Sequence, residues 1–247
     1  MSAVPSSAPR HAMIFAAGLG TRMRPITDKL PKPLVEVAGR SILDRILDRC
    51  EAAGVTEAVV NTHHLADMVA ARMEKREKPA IVVSREEILL ETGGGVVKAL
   101  PLLGADPFYV INGDVLWTDG PRDTLLRLAQ NWSDSEMDAL LLMHPVVRAR
   151  DYHGPGDFFL DPLGRLLRRQ PRQVAPFVFA GIQILHPRLF HDQPAGRFSL
   201  NVLYDRAAAA GRLYGIVHDG EWFHIGTPES LARISSELGR AKSRAGP

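Results

Sequence analysis

Near the amino terminus, Gly18-Leu19-Gly20-Thr21-Arg22 follows the short apolar run Met13 to Ala17. Glycines placed after a strand let main-chain N–H groups approach phosphate oxygens, because no Cβ stands in the way. Arg22 and Lys32 bring two cations to the same segment, which a polyphosphate requires. Arginine can grip two oxygens at once, whereas lysine acts as a point charge. Pro31 and Pro33 flank Lys32 and restrict its backbone, which lowers the ordering cost of binding. Ala16, Ala17, Gly18, Gly20, Thr21, Arg22 and Lys32 are therefore candidate nucleotide contacts. The loop is not a Walker A sequence, and it lacks the third glycine of a dinucleotide fingerprint. Taken alone, a glycine-rich loop is as readily a surface turn.

Three further segments carry chemistry-bearing residues. Glu91-Thr92-Gly93-Gly94-Gly95 is expected to precede a helix and to lie flat against a base with its amides free. A flexible loop leading into a helix is an equal reading. Asn112-Gly113-Asp114 ends the apolar run Phe108 to Ile111. An acid just past a buried strand can hold Mg²⁺ against phosphates, since magnesium prefers oxygen ligands. Alone, Asn-Gly-Asp is more often a turn. Asp119 is expected to cap the following helix. The third segment, Trp222 to Pro228, contains His224, whose imidazole suits zinc, manganese or iron better than magnesium.

The bulk of the chain excludes several classes. A formal charge of +2 over 247 residues implies no nucleic-acid or membrane partner. The cluster Arg168, Arg169 and Arg172 is expected to be a solvated loop rather than a polyanion site. The single cysteine, Cys50, permits no internal disulfide and fits a reducing, cytoplasmic setting. It falls in register with Ile42, Leu43, Ile46 and Leu47 on one helical face, which marks it as core. No apolar run reaches the roughly 18 residues needed to span a bilayer. Residues 1–11 lack the apolar segment of a secretory signal and are expected to form a disordered extension. Residues 240–247 are expected to be a loose tail.

The elements that must position these residues follow from periodicity. Met13 to Ala17, Ala58 to Asn61, Ala80 to Ser84 and Phe108 to Asn112 are expected strands. Ser41 to Ala53, with serine at its N-cap and Gly54 at its stop, His64 to Lys75 and Gly94 to Leu103 are expected helices. Further on, Phe158 to Leu160, Leu163 to Leu167 and Phe177 to Leu185 are expected strands, and Leu200 to Ala210 and Pro228 to Leu238 helices. This alternation predicts a single α/β domain over residues 12–239, built on a Rossmann-like, doubly wound, mostly parallel mixed sheet. Ligands collect outside the carboxyl ends of such strands, where the Gly18 loop and Gly113-Asp114 both fall.

The whole string from Ala16 to Pro25 with Pro31-Lys32-Pro33-Leu34 resembles the sugar-1-phosphate nucleotidyltransferase family, over about Ala12 to Leu238. That resemblance implies an enzyme joining a nucleoside triphosphate to a sugar-1-phosphate, with Mg²⁺ as cofactor and Mn²⁺ or Co²⁺ able to substitute. It implies catalytic roles for Arg22, Lys32 and Asp114, base contact by Thr92 and Gly93, and nucleotide contact by Asn112. It also implies that Gly154 to Phe158 and Phe179 to Ile182 line the sugar-phosphate pocket, with Asp157 accepting from hydroxyls and Gly181 letting the sugar sit close. Asp114 and the position of His224 would hold the metal. Family members commonly carry aspartate at that second position, so His224 is a departure. Direct ligation, holding a metal-bound water and touching a phosphate are all open for it, beside a plain buried histidine.

Glu91-Thr92-Gly93-Gly94-Gly95, the Asn112 to Asp119 string and Gly156-Asp157-Phe158 look most like N-acetylmuramate-1-phosphate uridylyltransferases of peptidoglycan recycling. Mannose-1-phosphate guanylyltransferases are the nearest competitor. A non-catalytic module sensing a nucleotide sugar is the alternative of another class, and the cation pair with Asp114 argues against it. A monomer or small homo-oligomer is expected.

Overall fold

The structure, a computed structural model, describes residues 4, 8–193 and 196–244. Strand β1 (His11–Phe15) leads into the glycine loop, then a small hairpin of β2 (Glu36–Val37) and β3 (Arg40–Ser41). Helix α1 (Ile42–Ala52), β4 (Glu57–Thr62), α2 (Ala66–Met73), β5 (Ala80–Arg85), α3 (Glu91–Leu103) and β6 (Phe108–Asn112) complete the alternating half. After it come β7 (Val115–Trp117), α4 (Thr124–Gln130), β8 (Ala139–Pro145), β9 (Phe158–Leu160), β10 (Leu166–Arg168) and β11 (Phe177–Leu185). The last elements are α5 (Asn201–Ala209), β12 (Leu213–Val217), β13 (Trp222–His224) and α6 (Pro228–Arg244).

One mixed sheet carries the site. β6, β1, β4 and β5 run parallel in that order, with Ile14 opposite both Val60 and Ile111. β1, β4 and β6 are buried, so they read as continuous apolar runs rather than alternating ones, whereas β5 at the edge is largely open to solvent. β11 joins antiparallel to β6, with Ile182 opposite Ile111, and continues the sheet to β9 and β10. β8 branches from the far side of β11 and pairs with β12. The α/β mixed-sheet expectation therefore holds, with the antiparallel part confined to the second half.

Local chemistry explains the elements. The Ser41 side chain accepts from Asp44 N and caps α1, which ends at Gly54 with φ 86°. Ile42, Leu43, Ile46, Leu47 and Cys50 face the core. Burial pushes the Cys50 thiol up to about 12, so it stays protonated and packs as a small apolar group.

Several expectations are corrected. β1 begins at His11, and Ala8 is buried in the core, so the domain starts earlier than residue 12. Residues 1–3 and 5–7 of the expected extension lie outside the described residues. Helix α6 runs on to Arg244, into the expected loose tail, whose remaining residues 245–247 also lie outside. Helix α3 starts at Glu91, so the three glycines lie inside it rather than before it. Asp123, not Asp119, caps α4 by accepting from Leu126 N; Asp119 accepts from Thr124 and pairs with Arg49.

Candidate functional site

The carboxyl ends of β1 and β6 are locked together. Gly113 N donates to Phe15 O at 2.8 Å, and a Cβ on Gly113 would collide with that same oxygen. Glycine is thus what lets Asn112-Gly113-Asp114 turn beside the glycine loop. In that loop Gly20 takes φ 61° and opens a turn of 3-10 helix, its carbonyl accepting from Met23 N and Thr27 Oγ1. A side chain there would stand 2.9 Å from the Thr27 methyl.

A cavity of ≈ 480 Å³ opens at this edge. Ala17, Gly18, Gly20, Thr21, Arg22, Lys32, Thr92, Asn112 and Asp114, all anticipated from the sequence, line it. Lys32, buried behind the loop in a short 3-10 turn, reaches Asp114 Oδ2 with Nζ at 2.7 Å. Arg22 Nη1 approaches His224 Nε2 at 3.5 Å. A guanidinium only donates, so a hydrogen bond there requires Nε2 as the acceptor. His224 is carried by β13, which pairs with β7 so that His224 faces Val115, the residue after Asp114. Burial first, then the positive charges of Arg22 and Lys32, hold the imidazole below its ordinary pKa.

Other anticipated residues stand elsewhere. Ala16 is buried and spends its amide on Asn61 Oδ1 at 2.8 Å. The expected free amides after Thr92 are absent: Gly93 N and Gly94 N both donate to Phe198 O. The glycines serve packing instead, since a Cβ on Gly93 would strike the Phe198 ring and one on Gly94 the Gly196 carbonyl. Thr92 Oγ1 accepts from Leu200 N, tying the same crossing segment down. Gly181, at φ 77°, lies where β11 shifts register, and a Cβ there would stand 2.6 Å from Val115 and 2.9 Å from Asn112 Nδ2. It seats the Asn112 turn from behind. Asp157 lines a second cavity of ≈ 490 Å³ with Phe158, Arg168, Arg169, Pro171, Phe179 and Asn201. Its Oδ2 accepts from Phe179 N at 2.9 Å.

Sequence reasoning missed Asn61 and Glu86. Asn61 Nδ2 donates to Glu86 Oε1 at 2.6 Å, and Leu90 N donates to Glu86 Oε2 at 3.0 Å. Both side chains are buried yet line the nucleotide-sized cavity. The signal was available: each polar residue sits at or just past the carboxyl end of a parallel strand, β4 or β5.

Among the described residues no group of three or more His, Cys, Asp or Glu could hold a metal ion. Asp114 lines the cavity and offers an oxygen, and His224, outside that lining, offers a nitrogen beside Arg22, which belongs to it. These donors fit a divalent cation whose remaining ligands come from substrate oxygens, not one caged by protein alone. No helix among the described residues is long and apolar enough to cross a membrane.

The chain is similar to known proteins along most of its length. The nucleotidyl transferase family profile matches residues 11–153. The chain is 42% identical over 96% of its length to all of an N-acetylmuramate alpha-1-phosphate uridylyltransferase from Caulobacter vibrioides. It is 28% identical over 92% of its length to a mannose-1-phosphate guanyltransferase from Aspergillus fumigatus, of which it spans 66%. A UDP-glucose pyrophosphorylase complexed with UDP-glucose shares the fold with a TM-score of 0.78 at 16% identity, over 94% of this chain and 99% of that one. From its glycine loop, its cation pair and these likenesses, the chain belongs to the nucleotidyl transferase family.

Proposed function

We propose that the chain transfers a uridylyl group from UTP to N-acetylmuramic acid 1-phosphate and releases pyrophosphate. The observation that carries the reaction class is the convergence of Gly18, Arg22, Lys32 and Asp114 on one cavity at the carboxyl ends of β1 and β6. The choice of base and acceptor is supported by the uridylyltransferase relative, which the chain matches over that protein's whole length.

In this reading an acceptor phosphate oxygen attacks the α-phosphorus in line, a new P–O bond forms, and the bond to the β-phosphate oxygen breaks. The attacking phosphate is already anionic, so no general base is required. Catalysis rests on holding two mutually repelling polyanions together and neutralising charge in the transition state. Arg22 grips the departing β- and γ-phosphates, and Lys32 bridges the α-phosphate and the acceptor phosphate. Asp114, with His224 from the neighbouring strand, would hold a divalent cation, which would supply charge neutralisation for the transferring phosphate. A cytoplasmic role in peptidoglycan recycling follows from this substrate pair.

A pyrophosphate-release screen of four triphosphates against a panel of sugar-1-phosphates tests the reading. Preference for UTP with N-acetylmuramic acid 1-phosphate is expected. Clear preference for GTP with mannose 1-phosphate would overturn the substrate assignment, and no release with any pair would overturn the reaction class.

A further inference from the structure

Besides the nucleotide cavity, two concavities mark the described surface. The one between α1 and α2 has paired walls: Arg72 with Asp44, and Arg40 and Arg76 with Asp48. With Lys75, Lys78, Glu51 and Glu77 its lining is close to neutral overall, so it favours no charged ligand. The second is the cavity that holds Arg168 and Arg169, two residues whose spacing suggested only a solvated loop.

This cavity lies along the same sheet edge as the nucleotide site. β11 runs antiparallel to β6, so Phe179 and Phe177 extend beyond Asn112, and Phe177 pairs with Phe158 of β9. The short segment Ser199 to Asn201 separates the two cavities, giving Ser199 to one and Asn201 to the other. The two arginines in the wall differ in what neutralises them. Arg168 donates from Nε to Asp205 Oδ1 at 2.7 Å, so its charge is matched. Arg169 is held by main-chain carbonyls alone: Nε donates to Gly156 O at 2.7 Å, and Nη1 to Gln170 O and Gln173 O, each at 3.4 Å. No carboxylate among the described residues forms an ion pair with it, and Nη2 makes no hydrogen bond there. The Asp157 carboxylate in the same wall is turned to the Phe179 amide.

We infer that Arg169 is the specificity residue for a carboxylate carried by the acceptor sugar. A half-buried guanidinium fixed by three carbonyls is pre-organised, and its open Nη2 edge matches a carboxylate without further ordering cost. Asn201 in the same lining adds an amide. The proposed acceptor, N-acetylmuramic acid 1-phosphate, carries such a group on its lactyl ether, and N-acetylglucosamine 1-phosphate is the same sugar without it. The inference therefore rests on the proposed acceptor and explains how the protein would tell it from its neutral counterpart.

The test is kcat/KM with UTP for both acceptors, in the wild type, R169M and R169K, with a thermal melt of each protein. We expect the wild type to prefer the lactyl sugar, and R169M to lower that preference about 10- to 100-fold, the scale of a charge-assisted hydrogen bond. The loss should appear mainly in KM for the lactyl sugar, and R169K should restore part of it. Equal losses for both acceptors would make Arg169 a mere prop for the Gly156 turn and overturn the inference. A wild type that prefers the lactyl sugar with an unchanged ratio in R169M would overturn it while sparing the acceptor assignment. A wild type without preference would instead overturn the assignment itself, and the inference with it. Should R169M fail to fold, R169Q keeps donors for the carbonyls, removes the charge, and is read on the same ratio.

Discussion

Lys32 Nζ stands 2.7 Å from Asp114 Oδ2, and the lysine side chain is 9% exposed while that of the aspartate is 40% exposed. The cation thus reaches the cavity from inside the protein, and the acid lies on its open rim. Without substrate each neutralises the other, which keeps the lysine extended towards the place where phosphates would arrive. In the proposed reaction both partners exchange: Lys32 turns to phosphate oxygens and Asp114 to the divalent cation.

Lys32→Ala should lower kcat/KM by on the order of a hundredfold or more, roughly 3 kcal/mol of transition-state stabilisation. Stability should fall modestly: the ion pair is open to solvent on the aspartate side and contributes at most about 1 kcal/mol, to which loss of the buried lysine stem adds. Steady-state pyrophosphate release and a thermal melt measure the two effects separately. Undiminished turnover in a folded variant would remove Lys32 from the mechanism.

Gly113→Ala should damage both fold and activity. The new methyl would meet the Phe15 carbonyl oxygen, which belongs to β1 and cannot move without breaking pairs to β4 and β6. Overpacking of this kind costs about 1–3 kcal/mol, and the relief available is displacement of the Asn112 to Asp114 turn. A lowered melting temperature together with reduced kcat is expected. A variant with unchanged melting and full activity would show that the β1–β6 junction is looser than the geometry indicates.

Acid should destabilise the protein through two buried histidines outside the cavity. His144 on β8 and His218 after β12 are about 1% and 0% exposed, with ring centroids 5.8 Å apart. Neither nitrogen of His144 has a partner among the described residues, and His218 has one contact, Nε2 with Glu221 O at 3.3 Å. Burial is the largest cause lowering both pKa values below the ordinary 6.5. Depressed folded values mean that the unfolded chain binds more protons between the two. Stability is therefore full above about pH 6.5 and falls as the pH drops towards the folded values, by at most about 1.4 kcal/mol per pH unit for each histidine. Melting temperatures from pH 8 to 5 check this, and His144→Leu should flatten the acid limb. An acid limb of the same slope in that variant would exclude His144 from the effect.

What could be read beforehand divides along physical lines. β4 and β6 are continuous apolar runs bounded by turn residues, and α1 carries its own cap and stop, so local pattern suffices for them. β8 escaped although Ala139 to Met143 is wholly apolar, because periodicity alone does not separate a short buried strand from a piece of helix. The three residues of β13 become a strand only by pairing with β7, about a hundred positions earlier. In the site, Arg22, Lys32 and Asp114 were legible through the resemblance of the whole string to a known family, since on local pattern alone each segment reads as readily as a turn. The purpose of Gly93 and Gly94 was not, since it depends on Phe198 and Gly196 crossing above them, a contact no local pattern records.

The cation should expose what His224 does. Two carboxylates would neutralise a divalent ion, whereas Asp114 with His224 supplies one negative charge and a nitrogen. Substrate phosphate oxygens can complete an octahedron, so Mg²⁺ should support turnover, but its affinity for the protein without nucleotide should be weak. Mn²⁺ and Co²⁺ accept imidazole more readily and should give comparatively high rates. Burial and the neighbouring cations lower the ring's pKa, which favours the neutral form that ligation needs. His224→Asp should therefore shift the preference towards Mg²⁺ and tighten metal binding, read as rates with each ion in both proteins and as titration calorimetry without nucleotide. Asp114→Ala should nearly abolish turnover in either background, because it removes the one negative charge that this pair supplies. If the Mg²⁺-to-Mn²⁺ rate ratio is the same with histidine and with aspartate at 224, the side chain does not touch the metal, and its contact with Arg22 is then its role.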